Sequence, residues 1–86
     1  MINIIFEENK CRAVAFDEGY FLGECNFLVI EENINIIHTE VDNNYKGQGI
    51  ARKLVECVLD NVKKYNKKVI ADCSYAKKII KENNIE

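Results

Sequence analysis

Three short stretches of this chain hold residue types that chemistry needs. The first is Asp42-Asn43-Asn44-Tyr45-Lys46-Gly47-Gln48-Gly49-Ile50-Ala51-Arg52, between a β-branched run and a helical one. A helix start leaves several backbone N–H groups without partners. Ser, Thr, Asp or Asn usually offers them an oxygen. Here Lys46, Gly47, Gln48 and Gly49, directly before the periodic run, contain no short capping oxygen. Free donors and the helix dipole favour an anion, phosphate above all. Gly47 and Gly49 let it approach the backbone closely, and Lys46 and Arg52 add positive charge. The spacing is neither the dinucleotide-binding G-x-G-x-x-G nor a Walker loop, because no Gly-Lys-Ser/Thr follows. On its own, a glycine pair before a helix serves equally well simply to turn the chain.

The second stretch is His38-Thr39-Glu40-Val41. His38 and Glu40 lie two apart on one strand and so share a face. His38 titrates near neutrality when unperturbed, and Glu40 would need a raised pKa to act as a base. The plain alternatives are a packed, hydrogen-bonded histidine and a solvated glutamate. The third stretch is Cys73-Ser74-Tyr75. Cys73 follows a short apolar run and precedes a helix start, which favours a thiolate; the neighbouring carboxylate of Asp72 opposes it. A thiolate there can take an acyl group and pass it on, a covalent role left open against direct attack by the acceptor, and Tyr75 carries a phenol. Core packing is the competing role for Tyr75. Cys11, Cys25 and Cys57 read as small, half-buried apolar residues. No Cys-x-x-Cys spacing occurs and His38 is the sole histidine, so no metal site is expected.

These residues need elements to hold them. Ile2, Ile4 and Phe6 alternate with Asn3 and Ile5 in a first strand, and 12–16 forms a second strand. Asp17-Glu18-Gly19 turns the chain into a long strand over 20–30, with Gly23 as a candidate bulge. Glu31-Glu32-Asn33 turns it again into a strand over 34–41. The period then changes. Ala51, Leu54, Val55, Val58, Val62 and Tyr65 recur at helical spacing over 50–65, with Arg52–Glu56 and Asp60–Lys64 as outer i, i+4 pairs. A strand over 68–71 follows, then a helix to about residue 83 that Ser74 can cap. The pattern is an α+β fold: a strand meander followed by β-α-β-α. A right-handed crossover should set strand 68–71 parallel to strand 34–41.

The 86 residues allow a single domain spanning 1–86, as a monomer or weak homodimer. A net charge of −2 gives no reason to expect nucleic acid or an acidic membrane as partner. Met1-Ile2-Asn3-Ile4-Ile5-Phe6-Glu7-Glu8 lacks the basic leader of a secretion signal, and no apolar run approaches the roughly 20 residues that span a bilayer. The expectation is a cytoplasmic protein.

Lys46-x-x-Gly49-x-Ala51 resembles the pyrophosphate-binding motif of the GNAT acetyltransferases. Together with His38-Thr39-Glu40-Val41 and Cys73-Ser74-Tyr75, it resembles the short stand-alone (YjdJ-type) GNAT-like proteins in order and approximate spacing, over about residues 34–81. The resemblance implies a mixed, twisted sheet whose two central parallel strands splay apart around pantetheine. It implies acetyl-CoA as cofactor, with backbone near Val41 on pantetheine and as oxyanion donor. It also implies that amides of Gly47, Gln48, Gly49, Ile50 and Ala51 hold the pyrophosphate, beside Lys46 and Arg52. The implied catalytic group is Cys73, His38, Glu40 and Tyr75.

The chain departs from that pattern. Lys46 stands for the usual Arg or Gln, which loses a forked phosphate contact. Asp72 replaces an apolar residue, 83–86 lack a His-Pro ending, and the N-terminal helices that shape an acceptor pocket in larger relatives are not apparent. The partners expected are therefore acyl-CoA and an unidentified amine. A non-catalytic or weakly catalytic coenzyme A or partner-binding module is the alternative, and a thiol redox protein a third reading. Thiol titration under denaturing, non-reducing conditions is expected to find Cys11, Cys25, Cys57 and Cys73 all free; a stoichiometric disulfide would overturn the cytoplasmic expectation.

Overall fold

Alternating apolar residues and tight turns build the first half of the chain as a meander. In the computed structural model, which describes residues 1–83, β1 (Ile2–Glu7), β2 (Arg12–Asp17), β3 (Tyr20–Ile30) and β4 (Asn33–Val41) pair antiparallel in sequence order. The turn between β2 and β3 places Glu18 and Gly19 at φ 50° and 84°, the pair of positive values that a two-residue hairpin needs to match strand twist. The C-terminal residues 84–86, on which most of the comparison with a His-Pro ending falls, lie outside the described residues.

Helix α1 (Ile50–Val62) then carries the chain across one face of the sheet, and β5 (Lys68–Ala71) returns parallel to β4, from Asn33↔Lys68 to Ile36↔Ala71. Helix α2 (Ser74–Glu82) packs beside α1. The buried stripe of α1 is Ile50, Leu54, Val55, Val58, Leu59 and Val62. It is centred slightly differently from the expected one, with Ala51 left half-buried. Ala13 and Ala15 on β2 are wholly buried under it. Phe6 stacks on Phe27 with ring centroids 5.9 Å apart. One hydrophobic cluster joins the inner face of the sheet to both helices. On the uncovered face, Ile5, Phe21, Leu28 and Ile30 stay about half exposed.

Several local expectations are corrected. The regular helix ends at Val62, and Lys63–Tyr65 tightens into a 3-10 turn closed by Asn66 at φ 55°. Lys64 reaches Glu8 at 2.7 Å, leaving Asp60 to Lys63 at 3.5 Å. The Glu8 carboxyl, which also accepts from Tyr65, is held below its ordinary pKa by Lys64 first and Tyr65 second. Ser74 is the first residue inside α2, not its cap; Cys73 takes the cap position and makes no side-chain capping bond.

The sheet is bulged twice. Against β2, the pairing passes from Ala15↔Gly23 to Phe16↔Phe21, so the extra residue is Leu22, next to Gly23. Against β3, it passes from Asn26↔His38 to Phe27↔Ile36, so Ile37 is extra in β4. That second bulge reverses which residues of β4 face the helices: Ile34 and Ile36 before it, Thr39 and Val41 after it. Gly23 has a separate reason to be glycine. A Cβ there would stand 2.2 Å from the Glu40 carbonyl oxygen and 3.0 Å from the Val41 Cα. Gly23→Ala is expected to lower stability by about 1–3 kcal/mol, read as a drop in the midpoint of urea unfolding followed by circular dichroism.

Candidate active site

The site lies where β4 and β5 part. Their pairing ends at Ile36↔Ala71, while β4 runs on to Val41 with no strand on that side among the described residues. A two-point hydrogen bond fixes the parting. Asn35, with 7 % of its surface exposed, donates from its amide to the Asp72 carboxylate at 3.0 Å. Its side-chain oxygen accepts from the Asp72 N–H at 3.0 Å. The N–H groups of Asp72 and Cys73 both turn to the Ile36 carbonyl, at 3.1 and 3.2 Å. The chain is thereby led away from β4, and alternate amides between Ile37 and Val41 face the gap.

At the far end of β4, Asp42 closes a 3-10 turn over Asn43–Tyr45 by accepting from the Asn44 N–H at 2.8 Å. Tyr20 donates to the same carboxylate at 2.9 Å, and this bond is the first cause that raises the Tyr20 hydroxyl pKa. Tyr45 stacks on Tyr20 and donates to Asp17 at 3.3 Å. Beyond this brace the chain enters α1 through Gly47 at φ 86° and Gly49 at φ 78°. Gly49 is the N-cap and no side chain caps the helix. A Cβ at either glycine would meet nothing within 4 Å: the space over the helix start is open, and the glycines are required by their backbone angles.

The gap and the helix start share one open cavity of about 1100 Å³. Of the residues expected in a site, His38, Glu40, Val41, Lys46, Gly47, Gly49, Ile50, Ala51 and Tyr75 line it. Thr39, Asp42, Asn43, Asn44 and Tyr45 complete the lining; the sequence places them in the same stretches without giving them a site role of their own. Asp-Asn-Asn is a turn-forming run that closes on its own backbone. His38 Nε2 and Glu40 Oε1 are 2.9 Å apart and both side chains are more than half exposed. Cys73 stands one residue behind the lining, its Sγ donating to the Thr39 hydroxyl at 3.5 Å. Two expected residues lie elsewhere. Gln48 is outside the lining. Arg52 turns along α1 to Glu82 on α2, with N–O distances of 2.5 and 3.0 Å, and more loosely to Glu56 at 3.9 Å.

A mixed sheet whose parallel strands part beside an uncapped, glycine-entered helix is the architecture of the GNAT fold. A model of the GCN5-related N-acetyltransferase family matches residues 12–86, and the chain belongs to that family. A GCN5-like protein of Staphylococcus aureus, solved by NMR, is 30% identical, with a TM-score of 0.70 over 95% of this chain and 80% of that one. Protein NATD1 of Homo sapiens is 40% identical over 50 residues, 58% of this chain and 44% of its own length. The matched stretch thus spans a little under half of that relative. Diaminobutyrate acetyltransferase EctA of Paenibacillus lautus, solved with L-2,4-diaminobutyric acid and coenzyme A, shares the fold at 16% identity. Its TM-score is 0.66 over 87% of this chain and 48% of that one.

Because Arg52 is engaged with Glu82, Arg52→Ala is expected to leave coenzyme A affinity unchanged within error. It is expected to cost at most about 1 kcal/mol of stability, as for other exposed ion pairs. Calorimetric titration and thermal unfolding check the two halves; a large loss of affinity would return Arg52 to the site.

Proposed function

We propose that the chain is an acyl-coenzyme-A-dependent N-acyltransferase, with acetyl-CoA as donor and a small-molecule or protein amine as acceptor. The observation that carries this reading is the uncapped start of α1 opening into the same cavity as the β4–β5 gap. Donor N–H groups, two glycines with open space above them and the exposed Lys46 suit a pyrophosphate. An unpaired strand edge suits an amide-bearing arm such as pantetheine. Membership of an acetyltransferase family, and coenzyme A on a protein of the same fold, support the choice.

Bound coenzyme A supplies an activated acyl thioester. In this reading the amides of 47–51 hold the phosphates, and the β4 backbone near Val41 holds the arm and donates to the developing oxyanion. His38, with Glu40 behind it, takes the proton of an incoming ammonium. Cys73, its proton given to water, carries the acyl group in transit: its thiolate bonds the carbonyl carbon, the donor sulfur leaves and takes a proton from Tyr75, which water then reprotonates; the neutral amine next bonds the carbonyl carbon and the Cys73 thiolate leaves. The exposure of His38 and Glu40 favours one competing reading, a coenzyme A-binding module without efficient turnover.

Incubation with acetyl-CoA followed by intact mass measurement and a screen of amines separates the two: acetyl transfer is expected, and its absence with binding retained selects the module. Gly49→Glu places a carboxylate over the helix start and is expected to abolish coenzyme A binding by calorimetry while circular dichroism stays native, at a stability cost of about 1–2 kcal/mol from the left-handed backbone at that position. Unchanged affinity would remove the turn from the site.

A further inference from the structure

We infer that Thr39 is a positioning residue for Cys73, its hydroxyl turning to donate to that sulfur once the thiol has given up its proton, with Cys25 donating to Thr39 from behind. The inference rests on the reading of Cys73 as the acyl carrier. It begins from a row of three groups, of which the coenzyme A reading uses only Cys73. Cys73 Sγ donates to Thr39 Oγ1 at 3.5 Å, and Thr39 Oγ1 donates to Cys25 Sγ at 3.6 Å. Thr39 itself lines the cavity. Cys25 is wholly buried, and that burial pushes its thiol up to about 11.

A hydroxyl carries one proton and can accept through its lone pairs, so the row runs in one direction at a time. With Cys73 neutral it runs from Cys73 through Thr39 to Cys25. When Cys73 loses its proton to water, the sulfur can only accept. The Thr39 O–H then rotates toward it, and the Cys25 S–H rotates toward the Thr39 oxygen. Only the Cys73 S–H bond breaks. Cys25 keeps its proton across the neutral range, so the far end of the row remains a donor and never becomes a repelling anion. Hydrogen bonds to an ionised acceptor are the stronger kind, so the reversed row favours the nucleophilic form.

The titratable groups on the surrounding elements are few. Asp72 is adjacent and held by Asn35. Cys57 stands on α1 within electrostatic reach of Cys25, and Tyr75 and Lys77 begin α2. His38 and Glu40 pair with Asn26 and Glu24, on the opposite face of β4 from Thr39.

The test is the pH profile of Cys73 alkylation by iodoacetamide in the full chain, followed by peptide mapping. T39V keeps the side-chain shape and removes the hydroxyl. It is expected to move the profile up by about one pH unit, about tenfold slower labelling near neutrality. T39S is expected to label like the wild type, and C25A to move the profile up by less than T39V. Thermal unfolding is read on each variant; if T39V does not fold, T39A carries the same expectation. A wild-type profile in either folded variant, or T39S shifting as far as T39V, overturns the inference. Full acetyl transfer by C73A would instead overturn the acyl-carrier reading, and it leaves the alkylation comparison intact.

Discussion

The hydrogen bonds between Asn35 and Asp72 decide where two paired strands stop being paired. A buried side-chain amide left without partners costs about 1–3 kcal/mol. Asn35 therefore holds Asp72 at both ends of its amide, and the backbone beyond has no register left in which to follow β4. Everything with chemical character sits downstream of that constraint. The gap opens because β5 stops, Cys73 reaches the cap of α2 because the chain has turned there, and Thr39 has a sulfur to meet because it lies across the gap. Asp72, which looks from the sequence like an unfavourable neighbour for a thiol, has a structural task that explains its presence.

The second principle of the site is its reliance on backbone. Among the described residues, a helix start that no side chain caps, a strand edge that no strand covers and two glycines in left-handed conformation face the cavity. Side chains mostly brace this frame. Asp42 ties the 3-10 turn to Tyr20, and Tyr45 leans on both Tyr20 and Asp17. Arg52 secures α2 against α1. An 86-residue chain has little volume for a dedicated pocket, and a backbone site needs little.

How much of this was legible in the sequence depends on the range of the forces involved. The glycine entry and the parallel return of β5 follow from periodicity and local chemistry, as does most of the α1 stripe, which is shifted to include Ile50 and Leu59. The bulges at Leu22 and Ile37 are settled by cross-strand register, which no single strand displays. Thr39 is visible in the sequence only as a member of its stretch: which residues of β4 it shares the helix-facing side with is set by the bulge. Arg52 turns instead to Glu82, a partner 30 residues on that no local pattern displays. Gly23 was legible as unusual, but its reason, the approach of the Glu40 carbonyl, belongs to another strand.

Both helices lie on one side of the sheet, and at the gap the sheet is a single backbone layer. The cavity is accordingly lined by residues of both faces, Thr39 and Val41 from one and His38 and Glu40 from the other. Such an opening is a window rather than a pit. The helix side presents Thr39 and Val41, and the other side presents His38 and Glu40, both more than half exposed.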